Sequence, residues 1–236
     1  MVSLGYSIGL YPPNHCSKLF GDCQLGDSNT EPYIAAHNVI LSHATVVDIY
    51  RKKYQVEQKG MIGIVMNTYW FEPLRNISAD RLVVQRTLSF SVAWFLDPII
   101  YGEYPPEMCI LLGSSLPTFS IEEKNKLENK LDFIGIIHYS TLYAKDCEFS
   151  QWDFNKYQWL WNASVFFTGE RNGIPIGVPT PMPLFHVVPY GLEKIVSYVK
   201  ERYNNTPMFI TENGYPLGSN SNVSTEDLIN DSRRVE

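Results

Sequence analysis

Three short apolar runs, separated by stretches of helical periodicity, limit what this chain can fold into more than any other feature. They are Ile62-Gly-Ile-Val-Met-Asn-Thr68, Asp132-Phe-Ile-Gly-Ile-Ile-His-Tyr139 and Pro207-Met-Phe-Ile-Thr211. A strand covered on one face alternates apolar with polar, whereas a strand covered on both faces reads as a continuous apolar run. The connections read as helices. Residues 31–54 carry Ala36, Ile40, Ala44 and Val47 on one face and close on the basic run Arg51, Lys52, Lys53, which suits a helix C-terminus. Residues 79–96 place Val84, Leu88, Val92 and Phe95 on one face and are expected to stop before Pro98. Ser120 and Glu123 form a capping box for a short charged helix. Leu192, Ile195, Val196, Val199 and Tyr203 mark a further amphipathic helix. Strand, helix, strand, helix, strand predicts a parallel α/β sheet. Three such strands are too few for a finished sheet in 236 residues, so the pattern predicts part of a larger barrel or sheet. Residues 1–29 read as loop and 146–189 as a long excursion.

Composition narrows the function. Nineteen Lys and Arg against 25 Asp and Glu leave a net charge of −6, with no basic surplus to draw nucleic acid or an anionic membrane. No stretch has the roughly 18 to 20 apolar residues of a membrane span, and Met1 to Pro13 does not read as a signal peptide. Fifteen Tyr, 12 Phe and 5 Trp favour a site that stacks on flat or ring-shaped ligands. Cys16 and Cys23 bracket a short loop and read either as a small clamping disulfide or as two ordinary thiols. No cysteine and histidine spacing suits a structural metal, so no metal and no cofactor are expected. Asn76, Asn162, Asn204, Asn222 and Asn230 each open an N-glycosylation triplet.

The sharpest local feature is Phe209-Ile-Thr-Glu212-Asn-Gly214. It puts a carboxylate at the C-terminal tip of a parallel strand, where barrel active sites gather. The alternative is a surface glutamate in an Asn-Gly turn. Tyr139 ends the preceding strand run, so its phenol can project from the same face and hold the carboxylate by hydrogen bonding. Glu72, after the first strand, is a second carboxylate in a comparable position. His37 and His43 lie on different helix faces, and His138 and His186 read as buried, hydrogen-bonded residues. No nucleotide-binding or serine-hydrolase motif is present.

Ile210-Thr-Glu-Asn-Gly214 resembles the nucleophile motif of family-1 glycoside hydrolases, the retaining β-glucosidases. Tyr11-Pro-Pro-Asn-His-Cys16, Trp94-Phe-Leu-Asp-Pro98, Tyr104-Pro-Pro-Glu-Met108 and Arg171-Asn-Gly-Ile-Pro-Ile-Gly177 are similar to the plant members, in family order. Gly63-Ile-Val-Met-Asn-Thr-Tyr-Trp-Phe-Glu-Pro73 looks most like the branch acting on monolignol glucosides of the coniferin type. The resemblance implies that residues 1–236 are a single partial domain of a (β/α)8 TIM barrel, about strands 5 to 7 with their helices, not closed within this chain. It implies O-glycosyl hydrolysis of small-molecule β-glucosides by a two-carboxylate retaining mechanism, with Glu212 as nucleophile and Tyr139 positioning it. It also implies a Cys16–Cys23 disulfide and a secretory location, extracellular, cell-wall or vacuolar.

Several positions depart from the family pattern. Ile137 stands where the family has a sugar-contacting Asn, and Val178 where Glu is usual. Pro183-Leu184-Phe185 replaces a Trp expected shortly after Thr180. The family's acid/base Glu lies in an Asn-Glu-Pro motif expected upstream of the opening residues, and the eighth strand is expected beyond Glu236. The expectation is therefore a β-glucosidase fragment that is inactive alone. The alternative is a non-catalytic carbohydrate-binding or unstable remnant.

Overall fold

The computed structural model describes residues 2–128, 131–147, 159–160, 163–218 and 224–230. After the turn at Ser3–Ser7, a short π-helix where a loop was expected, Cys16 and Cys23 are joined in a disulfide with Cα atoms 5.4 Å apart. Gly9 lies against it at φ +63°, and a Cβ there would fall 2.0 Å from the Cys23 sulfur, so this loop closes only with glycine at that position.

Helix α1 (Glu31–Lys53) buries the expected face, with Ala36, Ile40, Ala44 and Val47 inside. Its C-terminal Arg51 reaches Asp132 at 3.1 Å, and Asp132 accepts the N–H of Ile62 at 2.8 Å. One ion pair thus fixes the helix end to the start of strand β1 (Gly63–Pro73). The single helix expected over 79–96 is two, α2 (Ser78–Ser89) and α3 (Val92–Tyr101). The chain breaks at Phe90 and Ser91, and α3 runs through Pro98 and stops at Gly102, which takes φ +75°. Proline costs an interior hydrogen bond, but the surrounding apolar turn, with Val92, Leu96 and Ile99 buried, keeps the helix intact. Helix α4 (Pro106–Leu112) and helix α5 (Ile121–Leu127) follow, the latter opened by the Ser120–Glu123 capping box.

Strand β2 (Phe133–Asp146) runs on to Asp146, past Tyr139 where the apolar run that announced it ends. It pairs in parallel with β1 from Phe133 to Ala144. Beyond Tyr139 its residues Ser140 and Thr141 are polar yet buried, so the apolar pattern fades while the strand continues. The stretch expected as an excursion contains short antiparallel pairs: β3 (Trp159–Leu160) on β4 (Val165–Thr168), β4 on the end of β2, and two further two-residue ladders between Glu170 and Val187. Helix α6 (Pro189–Arg202) then leads to β5 (Met208–Glu212), which pairs in parallel with β2 on the side opposite β1. The three expected strands are therefore parallel and adjacent, in the order β1-β2-β5.

Among the described residues the sheet is open, not a closed barrel. Its helix-covered face holds the core, where Ile134, Ile136, Leu88, Leu96 and Ile195 are fully buried. Gly191 lets α6 approach β2 closely, since a Cβ would meet the Thr141 hydroxyl at 1.9 Å. Asp97 of α3 takes the guanidinium of Arg202 through two hydrogen bonds and the Tyr203 hydroxyl at 2.8 Å, tying α3 to the end of α6. No helix among the described residues is long and apolar enough to cross a membrane.

Candidate active site

Two one-residue shifts in strand register build the site. Ile136 faces Ile210, but Ile137 faces Glu212, so β5 carries one extra residue, Thr211. Alternation would otherwise put Glu212 opposite His138, on the helix-covered face. The extra residue turns the carboxylate onto the face shared by Ile137 and Tyr139, the re-aiming for which such irregularities are used. The second shift sets Tyr139 and Ser140 together opposite Tyr69.

The Tyr139 hydroxyl donates to Glu212 Oε1. That hydrogen bond, with some burial added, pushes the Tyr139 phenol above its ordinary range and keeps it a donor, which stabilises the charged carboxylate. Asn213 donates from Nδ2 to the His138 carbonyl at 2.5 Å, pinning the turn that follows Glu212. Beneath the site, Thr68 donates its one hydroxyl proton to the Ile137 carbonyl at 2.9 Å. His138 Nδ1, 3.2 Å from the Thr68 hydroxyl oxygen, must therefore donate to it, which leaves Nε2 as a bare acceptor. His138 is 2% exposed, and burial lowers its pKa to about 4. Among the described residues its Nε2 and the Thr141 hydroxyl are buried without a protein partner, so only half of the expected hydrogen bonding of this histidine is present there. His186 likewise keeps a buried Nδ1 without one.

Glu72 is not part of this arrangement. It accepts from the Trp70 indole N–H at 2.8 Å and shares the face of Thr68, which is turned to α6. There, after burial, its charge is the next cause that raises the pKa of Tyr190. A cavity of about 470 Å³ lies beside Tyr139 and the Asn213-Gly214 turn, walled by Met182, Phe185 and Tyr215. Asn213 lies within the motif around Glu212, whereas Ser140 and Phe185 also shape the site but were not singled out by sequence motif; only the departure at Pro183-Leu184-Phe185 drew attention to Phe185. Of the glycosylation candidates, Asn76, Asn204 and Asn230 are exposed, while Asn162 and Asn222 lie outside the described residues. Among the described residues no group of three or more acidic, His or Cys side chains is arranged to hold a metal ion.

A carboxylate held by a phenol at the C-terminal end of a parallel, helix-covered sheet defines an α/β protein of the TIM-barrel enzyme type. Comparison with known proteins takes this further. The chain matches the model of Glycosyl hydrolase family 1 over residues 1–236 and belongs to that family. It is 52% identical over 235 residues to a rice (Oryza sativa subsp. japonica) protein named "Probable inactive beta-glucosidase 14", covering 99% of this chain and 45% of that one. It is 46% identical over 237 residues to the coniferin beta-glucosidase of Pinus contorta, covering 99% and 46%. The crystal structure of the rice Os3BGlu6 beta-glucosidase superposes with a TM-score of 0.90 at 37% identity, over 99% of this chain and 49% of that one. A beta-glucosidase from Humicola insolens, in complex with glucose, gives 0.88 at 30% identity. The chain spans about half the length of the curated relatives it matches.

Proposed function

We propose that the protein containing these residues is a retaining β-glucosidase in which Glu212 is the nucleophile and Tyr139 its positioning residue. The observation that carries this is the Tyr139–Glu212 hydrogen bond on one face of the parallel sheet. Glu212 attacks the anomeric carbon and the bond to the aglycone oxygen breaks, with a proton delivered to that oxygen by a separate acid. Water activated by the same group then hydrolyses the glucosyl ester and frees Glu212.

The 236 residues contain no Asn-Glu-Pro, so this stretch supplies the nucleophile but not the acid/base, and by itself turns over ordinary glucosides negligibly. On this reading residues 1–236 form one partial domain and β1, β2 and β5 are barrel strands 5, 6 and 7. Similarity to the Pinus contorta coniferin beta-glucosidase supports monolignol-type glucosides as substrates. The Cys16–Cys23 disulfide and the exposed Asn76, Asn204 and Asn230 support a secretory location. The net charge of −6 speaks against nucleic-acid or anionic-membrane partners.

A second reading, a non-catalytic sugar-binding member, draws on Ile137 at the sugar site and on the printed name of the rice relative. Glu212→Gln in the full-length protein separates the two. The catalytic reading expects aryl β-glucoside hydrolysis to fall by about 10⁴-fold or more, and the glucosyl ester seen by intact mass in the parent to vanish. Glucose binding without any turnover in the parent supports the second.

A further inference from the structure

Phe185 sits between two tyrosines of the site. Its ring centroid is 5.6 Å from that of Tyr139 and 6.1 Å, nearly perpendicular, from that of Tyr69. The turn that carries it is held from both ends. Thr180 donates its hydroxyl to the Phe185 carbonyl at 2.9 Å, and the Phe185 N–H donates to Met182 at 3.1 Å. On the far side stands Ser140, the residue after Tyr139, 1% exposed. Its oxygen accepts the His186 N–H at 2.8 Å, and its proton points to the Leu184 carbonyl at 3.1 Å, closer than the carbonyls of His186 at 3.3 Å and Thr141 at 3.4 Å. One hydroxyl therefore grips the residues on either side of Phe185. Leu184 is held at φ +64°, a conformation that a side chain with a Cβ adopts only when its surroundings impose it.

We propose that Ser140 is a positioning residue that sets aglycone preference: by clamping Leu184 and His186 it fixes the Phe185 ring as a wall beside Tyr139, and so favours β-glucosides whose leaving group is a neutral flat ring. This rests on the β-glucosidase reading above. The cavity that the wall bounds is lined by Tyr139, Met182, the Asn213-Gly214 turn, Tyr215 and Pro216 with no charged side chain among the described residues, and the Tyr139 hydroxyl and Asn213 Nδ2 already donate to Glu212 and the His138 carbonyl. Such a lining suits an aromatic group, which needs shape and a π-face, better than a second sugar, which needs polar partners for its hydroxyls.

The test uses the full-length protein with Ser140→Ala, Ser140→Thr and Phe185→Leu. Phenyl and methyl β-D-thioglucosides, which resist hydrolysis, report binding, and the corresponding O-glucosides report kcat and KM. The unaltered protein should prefer phenyl, and Ser140→Ala should lower the phenyl-over-methyl binding ratio about tenfold through KM, with kcat little changed. Ser140→Thr, which keeps the hydroxyl, should restore most of the ratio, and Phe185→Leu should lose it as Ser140→Ala does. Should Ser140→Ala not fold, Ser140→Cys, isosteric but a weak donor, takes its place. An unchanged ratio in the alanine or cysteine variant overturns the role of Ser140 while leaving the β-glucosidase reading intact. A parent protein that binds neither thioglucoside overturns that reading, and this inference with it.

Discussion

On one side β2 is paired to β1 from Phe133 to Ala144, with α2 packed across both strands. On the other it meets β5 only from Ile134 to Ile137, and β5 leaves Phe209 48% and Ile210 47% exposed. The first flank buries Ile134, Ile136 and Leu88 completely, and the burial of large aliphatic side chains is what stabilises a domain. The second flank contributes less burial but carries Glu212. Stability and the proposed chemistry are thus divided across a single strand, with Tyr139 on β2 joining them. The Asp97–Arg202–Tyr203 cluster supports the weaker flank, because it ties α6, which leads into β5, to α3 on the stronger one.

Four measurements on the 236-residue chain test this asymmetry, read as unfolding free energy by denaturant titration. The largest loss should come from Asp97→Ala, about 4 kcal/mol, because it strands the Arg202 guanidinium in a partly buried site and orphans Tyr203. Next, Leu88→Ala should cost about 3 kcal/mol through the cavity it leaves under β1 and β2.

His138 supplies a pH-dependent effect between the two flanks. Its folded pKa is about 4 against 6.5 unfolded, so the unfolded chain binds the proton more readily. The stabilisation is complete above pH 6.5 and disappears as pH falls towards 4, roughly 3 kcal/mol in total and about 2 by pH 5. His138→Gln should flatten that part of the profile relative to the parent. The smallest change belongs to β5: Phe209→Ala should cost about 1 kcal/mol or less, since half of the ring is already in solvent. If Phe209→Ala proved as costly as Leu88→Ala, the two flanks would be equivalent and the division described here would be wrong.

The elements that were legible in sequence are those whose apolar residues recur at a fixed step. The runs at 62–68, 132–139 and 207–211 announced three adjacent parallel strands because both of their faces were expected to be covered. Past Tyr139 the signal failed: Ser140 is buried by its hydrogen bonds to Leu184 and His186 and Thr141 by its close fit against Gly191, neither of which a hydropathy pattern encodes. The break between α2 and α3, and the passage of α3 through Pro98, were equally hidden, because tertiary packing at Leu96 and Ile99 overrode a local preference. The pairing of Tyr139 with Glu212 was legible from their places at the C-terminal ends of neighbouring strand runs, whereas their roles were implied only by motif resemblance. Ser140 was not legible as a clamp, because its partners Leu184 and His186 lie more than forty positions further on and nothing local marks them.

The extra residue at Thr211 makes this site depend on counting as well as on chemistry. Exchanging Thr211 for Ser or Val keeps the phase of β5, and Glu212 still meets Tyr139. Deleting that single codon leaves every reactive group encoded and in order, yet swings the carboxylate to the far side of the sheet, opposite His138. A lineage could therefore disable the proposed nucleophile without mutating it, and an inspection of residue types alone would still find the glutamate in the sequence.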